Sequence, residues 1–265
     1  MLWGAYVGGS IPNIATFESQ AGRPMNMVAI FVGWGNSAGP FPSEYAASVR
    51  DKGKTLVIFW EHYGTTLDAI YGGQHDAYIT QFANAAKTYG GPIILAPLHE
   101  MNGNWDPWDG TVGTNNSAKV IASWRRIHDL FLSVPNVKFA WDVNNVSVPQ
   151  ITSNSIASYY PGDAYVDYVA IDGFNFGNPW QTWSQVFSSA ITQVKGYNKP
   201  IYLLSMASAA GSQKAAWITD ALTVKIPGDQ IAGWVWFNEN KEQNWLINSD
   251  TNSLSAFKAA VGAIR

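Results

Sequence analysis

The chain has 265 residues, a net charge of −3 and a pI near 5.8. That is long enough to bury one large core, and it lacks the basic surface that nucleic acid or an anionic membrane would require. It contains no cysteine, which excludes disulfides, thiolate nucleophiles and cysteine-based zinc sites. Aromatic residues (14%) outnumber charged ones (13%), which suits either a large core or a neutral, hydroxyl-rich ligand with apolar ring faces.

Short apolar runs alternate with helix-like segments for eight rounds. Strands are expected at Leu2–Val7, Met27–Val32, Thr55–Trp60, Ile93–Leu98, Val137–Trp141, Val166–Asp172, Ile201–Leu204 and Ile231–Phe237. Helices are expected near Pro12–Gln20, Pro42–Lys52, His75–Tyr89, Ser117–Leu132, Ser155–Tyr160, Thr182–Gly196, Ser212–Lys225 and Ser253–Ile264. Proline opens two of them, and Gly22, Gly53, Gly90 and Gly196 stand where a left-handed cap is wanted. Eight βα rounds without a linker read as an α/β fold, a single (β/α)8 TIM barrel forming one domain over 1–265. No apolar run reaches about 18 residues, so no membrane span is expected. Leu2–Val7 is too short and uncharged for a signal peptide. Met1 running straight into a strand suggests either a mature domain with a new start codon or a cytoplasmic protein.

In such a barrel the carboxyl ends of the strands carry the chemistry. Those positions hold Tyr6, Trp34, Trp60 and Glu61, His99 and Glu100, Trp141 and Asp142, Asp172, Ser205, and Trp236 with Asn238. The fourth strand is the most informative. Its apolar run ends in His99-Glu100 and then the loop Asn102-Gly103-Asn104-Trp105-Asp106-Pro107-Trp108. Alternation puts Ile94, Ala96, Leu98 and Glu100 on one face and His99 on the other. A carboxylate beside two indoles suits a sugar-cleaving site, although a capping acid with two core tryptophans would produce the same pattern. Glycoside hydrolysis needs two carboxyl groups, about 5–5.5 Å apart for retention and wider for inversion. Glu100 fits the acid/base, which must be protonated near neutral pH. The four histidines, at 62, 75, 99 and 128, lack metal-site spacing, and no phosphate-binding loop or nucleophile elbow is present. No metal or other cofactor is expected.

HEMNGNWDPW at 99–108 resembles the acid/base motif of glycoside hydrolase family 26, a clan A family of (β/α)8 retaining β-glycanases. DYVAIDGFNFG at 167–177, KPIYLLSMASAAG at 199–211 and WVWFNENKEQNWLINS at 234–249 resemble its sixth, seventh and eighth strand segments, in order. The resemblance implies that Glu100 is the general acid/base and that His99, Asn102, Trp105 and Trp108 line the cleft. It places Trp236 as a platform beneath the sugar at the scissile bond, with Trp60, Glu61, Asp172, Phe174 and Asn238 as further substrate contacts. The alternative for Trp60 and Trp236, less favoured, is that they are simply core.

One residue departs from the family pattern. The seventh strand should end in a nucleophilic glutamate, and Ser205 stands there, followed by Met206-Ala207-Ser208. A serine hydroxyl is shorter, un-ionised at neutral pH and has no activating base visible in the sequence. The favoured reading is an altered, nucleophile-less form that traps substrate or runs as a glycosynthase with an activated donor. A natural non-catalytic carbohydrate-binding relative is the second reading. A shifted register, with Glu61, Asp172 or Glu239 as second carboxylate, is the third. Phe174 also departs, since many relatives carry tyrosine there. NWDPW resembles the mixed-linkage glucanases (lichenases) of the family more than its mannanases, and Ala96 stands where relatives often carry arginine. The implied activity is endo-acting cleavage of β-1,3-1,4-glucan, with β-1,4-mannan as the alternative. The expected partner is a β-glucan oligo- or polysaccharide, and the protein is expected to be a secreted monomer.

Overall fold

A computed structural model describes residues 1–34 and 39–264. Eight parallel strands close in sequence order, β1 to β8, into a barrel with helices between them. They are β1 Leu2–Tyr6, β2 Met27–Gly33, β3 Thr55–Glu61, β4 Ile93–Pro97, β5 Val137–Asn144, β6 Tyr168–Asn175, β7 Ile201–Ser208 and β8 Gly233–Phe237. The (β/α)8 expectation is met, but several strand ends move. β5, β6 and β7 run past their apolar cores, to Asn144, Asn175 and Ser208. Asn144 gives its N–H to the Asn102 side chain at 2.8 Å. β4 stops early, at Pro97, because Leu98 and Glu100 adopt left-handed backbone (φ 51° and 55°).

The helices are α1 Ile11–Ala21, α2 Ser43–Arg50, α3 Leu67–Tyr71, α4 Asp76–Tyr89, α5 Ser117–Leu130, α6 Trp183–Val194, α7 Lys214–Asp220, α8 Ile226–Gly228 and α9 Thr251–Gly262. Their starts are written in side chains. Thr66, Asn116 and Asp250 each accept an N–H of the first turn, and Thr182 with Gln185 forms a capping box. The helix expected at Ser155–Tyr160 is instead a set of 3-10 turns over Thr152–Asn154, Ile156–Tyr159 and Asp163–Tyr165. Gly22 and Gly90 take the left-handed cap. Gly196 does not, and Asn198 fills that role at φ 53°.

By its contacts the chain divides into two compact units, Met1–Ala29 with Ile171–Arg265, and Ile30–Ala170. In the second, alternation along β3 sorts the core. Trp60 packs outward on Phe82 of α4 (centroids 4.4 Å apart), while Phe59 stacks on Phe31 of β2 and meets His99. In the first unit β8 is sorted the same way. Trp234 and Trp236 meet Phe257 of α9, whereas Phe237 stacks on Tyr6 at the end of β1. β7 and β8 pair with a register shift between Leu203 and Met206, a bulge that contains Leu204 and Ser205.

Candidate active site

The loop after β4 is built on polar clasps. The Glu100 N–H donates to the Asp142 carbonyl at 2.9 Å, and the Gly103 N–H returns to the Glu100 carbonyl at 2.7 Å. These bonds hold Glu100 in its left-handed turn, so its direction comes from the turn and not from strand alternation. Its Oε2 accepts the Trp105 indole N–H at 3.0 Å. Trp105 is 48% exposed, so one ring stands in solvent beside a half-buried carboxyl. Tyr63, also exposed, donates its hydroxyl to Asp106 Oδ1 at 3.0 Å and packs edge-on against Trp108.

Beneath this surface the expected cleft residues serve as supports. Trp108 is buried and donates its indole N–H to the His99 carbonyl at 2.8 Å. The His99 ring is enclosed by Phe31, Phe59 and Trp108, and neither of its nitrogens has a hydrogen-bond partner among the described residues. Burial lowers its pKa to about 3. His62 lies against Trp34, Trp60 and Trp108. Burial, then the nearby His99 and His75, hold its pKa well below the usual histidine value. Both imidazoles are therefore neutral. Asn102 is fully buried, and its amide is committed to β5 and the segment after it. Nδ2 donates to the Asn144 carbonyl and the Ser147 hydroxyl, and Oδ1 accepts the Asn144 N–H. Asn102 therefore braces the loop and does not face an open cleft.

Two expected sugar platforms are corrected by their neighbours. Trp60 is enclosed by Trp34, Tyr78, Phe82 and Phe131 on the helix side of β3. Trp236 lies between Trp217, Phe257 and the Lys214 ammonium, with its indole bound to the Trp245 carbonyl at 2.9 Å. Each precedes a residue of opposite facing, Glu61 and Phe237. Glu61, half-buried, shares its parity with Phe59. Asp142, buried at the end of β5, alternates with Trp141, whose ring meets Tyr160 at 5.0 Å.

In the first unit Ser205 is 4% exposed and sits in the β7 bulge. Asp172 is buried on β6, and Phe174, on the same face two residues on, is half-buried. Phe174 meets Phe237, Trp245 and the exposed Phe176 at 5.7, 5.1 and 6.0 Å. The loop carrying Trp245 is tied down by Lys214. This buried ammonium donates to the carbonyls of Asn244 and Leu246 (3.3 and 2.7 Å), and burial lowers its pKa to about 8. Asn238 Oδ1 accepts the Ile247 N–H at 2.8 Å, and Asn238 lines a pocket with Asn13, Gln20, Glu239 and Asn248. Tyr63, Asp109, Phe237 and Trp245 also lie beside these candidate residues and are not among the positions the sequence singles out. Strand parity could have found Phe237, whereas no sequence signal singles out Asp109.

Among the described residues no group of three or more metal-ligating side chains gathers, and no helix is long and apolar enough to cross a membrane. A sequence profile described as glycosyl hydrolase family 26 matches residues 58–260. Endoglucanase H of Acetivibrio thermocellus is 40% identical, covering 98% of this chain and 30% of its own length. The chain thus spans about a third of that relative. A mannan endo-1,4-beta-mannosidase of Bacillus subtilis (strain 168) is 23% identical over 73% of this chain and 53% of its own. Among solved structures, the catalytic domain of the endo-beta-1,4-mannanase of Bacillus sp. JAMB-750 superposes with a TM-score of 0.74 at 15% identity. That match covers 99% of this chain and 85% of the other.

Proposed function

The chain belongs to glycosyl hydrolase family 26, and on that premise we propose that it is the barrel of a retaining endo-β-glycanase for mixed-linkage β-1,3-1,4-glucan. In this reading Glu100 is the general acid/base, and position 205 is the seat of the nucleophile. The observation that carries it is the Glu100 carboxyl at the end of β4, held by an exposed indole N–H at 3.0 Å. In the first half-reaction Glu100 gives its proton to the glycosidic oxygen while a carboxylate at 205 attacks the anomeric carbon. In the second, Glu100 takes a proton from water, which releases the sugar with its configuration retained. Trp105 offers a ring face for a sugar, and Phe176 does the same in the other unit.

Ser205 cannot perform the attack, so the chain in hand is a nucleophile-less form that binds glycan without turnover. Its position supports this, because a bulge re-aims a strand side chain and is common beside active sites. The glucan assignment is supported by the name of the 40%-identical relative, an endoglucanase, matched along 98% of this chain. β-1,4-Mannan is the second reading, supported by the names of the more distant relatives and structures. A polymeric substrate cannot enter a cell, so the enzyme acts outside it, and we assign it as a monomer.

The test is hydrolysis of barley β-glucan, mannan and β-1,3-xylan by the Ser205→Glu protein. Cleavage of β-glucan first supports the proposal, and cleavage of mannan first moves the substrate assignment. Glycan binding with no cleavage in either form identifies a carbohydrate-binding relative.

A further inference from the structure

Asp109 has no part in the reaction above, yet the loop that carries Trp105 is organised on its side chain. The residue is fully buried. Its Oδ2 accepts the backbone N–H groups of Trp105 (2.9 Å) and Asp106 (3.0 Å), and its own N–H donates to the Asp106 carbonyl at 3.0 Å. Oδ1 has no hydrogen-bond partner among the described residues. A β-carbon at Gly103 would lie 2.6 Å from the Trp105 ring and 2.9 Å from Asp109 Oδ2, so only glycine lets the loop fold over this carboxyl. The chain of contacts therefore runs from Asp109 through two amides to Trp105, and from the indole N–H to Glu100 Oε2.

We propose that Asp109 is a positioning residue for Glu100, fixing the Trp105–Asp106 turn so that the indole N–H is held on one oxygen of the acid/base. This rests on the assignment of Glu100 as proton donor. The chemistry explains why the contact matters. An indole N–H can only donate, so in the acid form of Glu100 it favours the carbonyl oxygen, the better acceptor of the two. The transferable proton is thereby favoured on Oε1. Without the clasp Trp105, an exposed side chain on a loop, would be free to leave and the proton could sit on either oxygen.

Asp109 performs this role as a neutral acid. Burial raises its pKa to about 8, and the charges of Asp106 and Glu100 add to that while the two amide bonds oppose it. The hydroxyls of Tyr63 and Tyr159 feel the same carboxyl, and both are pushed up in pKa, mainly by their own burial. A neutral Asp109 can accept both amides without placing a further negative charge beside Asp106 and Glu100.

The experiment follows the tryptophan indole N–H signals of the protein as it stands by 15N–1H NMR, with Trp105→Phe for assignment. In Asp109→Ala the Trp105 signal is expected to move to its position in Glu100→Ala, while that of Trp108 stays. Asp109→Asn keeps an acceptor oxygen for both amides and should leave the Trp105 signal in place. Raising the pH through about 8 should shift the Trp105 signal in the parent chain and not in Asp109→Asn. A Trp105 signal unmoved in folded Asp109→Ala, or a step near pH 8 that persists in Asp109→Asn, overturns the proposal. If the alanine variant does not fold, the step in the asparagine variant still decides. In the Ser205→Glu background Asp109→Ala should lower kcat about a hundredfold with KM little changed, and Asp109→Asn should restore most of it. An inactive Ser205→Glu protein would count against Glu100 as acid/base. The NMR arm would still decide whether Asp109 sets its contact with Trp105.

Discussion

The loop after β4 and the aromatic rim formed by Phe174, Phe176, Phe237 and Trp245 are held by different forces. The loop is fastened by hydrogen bonds to buried polar groups, chiefly Asn102 and Asp109, each of which satisfies two or more backbone groups. The rings of the rim pack on one another at centroid distances of 5.1 to 6.0 Å, with the Lys214 ammonium as a polar tie to the loop that carries Trp245. Polar clasps are directional and titrate, whereas ring packing depends on volume and does not. In the proposed reading the proton donor Glu100 thus sits on the first kind of support, and the rings offered to sugar on the second.

The contrast can be broken most forcefully at the rim. Phe237→Ala should cost roughly 3–5 kcal/mol, because a buried ring is removed from between Tyr6 and Phe174. The loss, read from urea unfolding midpoints, should be the same at any pH where the fold persists. A cost that varied strongly with pH would mean that the Lys214 tie to the Trp245 loop, and not ring packing, sets the stability of the rim. Next comes Gly110→Ala in the loop, where the new methyl would collide with the buried Tyr159 ring and hydroxyl. Overpacking of this kind costs about 1–3 kcal/mol, and thermal unfolding would show it.

Proton linkage sharpens the contrast further. His62 and His99 ionise less readily folded than unfolded, so the folded state binds fewer protons through the acid range. Their contribution to stability is complete above about pH 6.5 and is lost as the pH falls toward 3. Asp109 runs the other way. Its contribution is complete below about pH 4 and is lost as the pH rises through about 8. Asp109→Asn removes that opposing slope, so stability should climb more steeply with pH between about 4 and 6, by at most about 1.4 kcal/mol per pH unit. Unfolding midpoints across that range check it, and an unchanged slope would refute the linkage. The smallest effect belongs to Trp105→Phe, which removes the indole N–H from Glu100 while keeping an exposed ring. Stability should change by no more than about 0.5 kcal/mol.

The barrel was legible because each apolar run of the eight is bounded by turn residues and followed by a helical pattern. Glu100 was legible as a candidate, the first acid after the fourth run, although strand alternation does not set its direction beyond Pro97. Trp60 and Trp236 were misassigned for a reason the sequence already contained. Each has a neighbour, Glu61 or Phe237, at the same strand end, and adjacent strand residues cannot share a face. The role of Asp109 was not legible, because it depends on a loop turning back so that a carboxyl meets the amides three and four residues before it. Likewise nothing in the run KPIYLLSMAS announced that β7 bulges at Leu204 and Ser205.

The most direct measurement of the central claim is proton NMR of the first reducing ends released from barley β-glucan by the Ser205→Glu protein and by its Glu100→Gln derivative. The account predicts β-configured ends from the first, formed with retention, and loss of nearly all turnover in the second. Release of inverted ends, or turnover indifferent to Glu100, would contradict it.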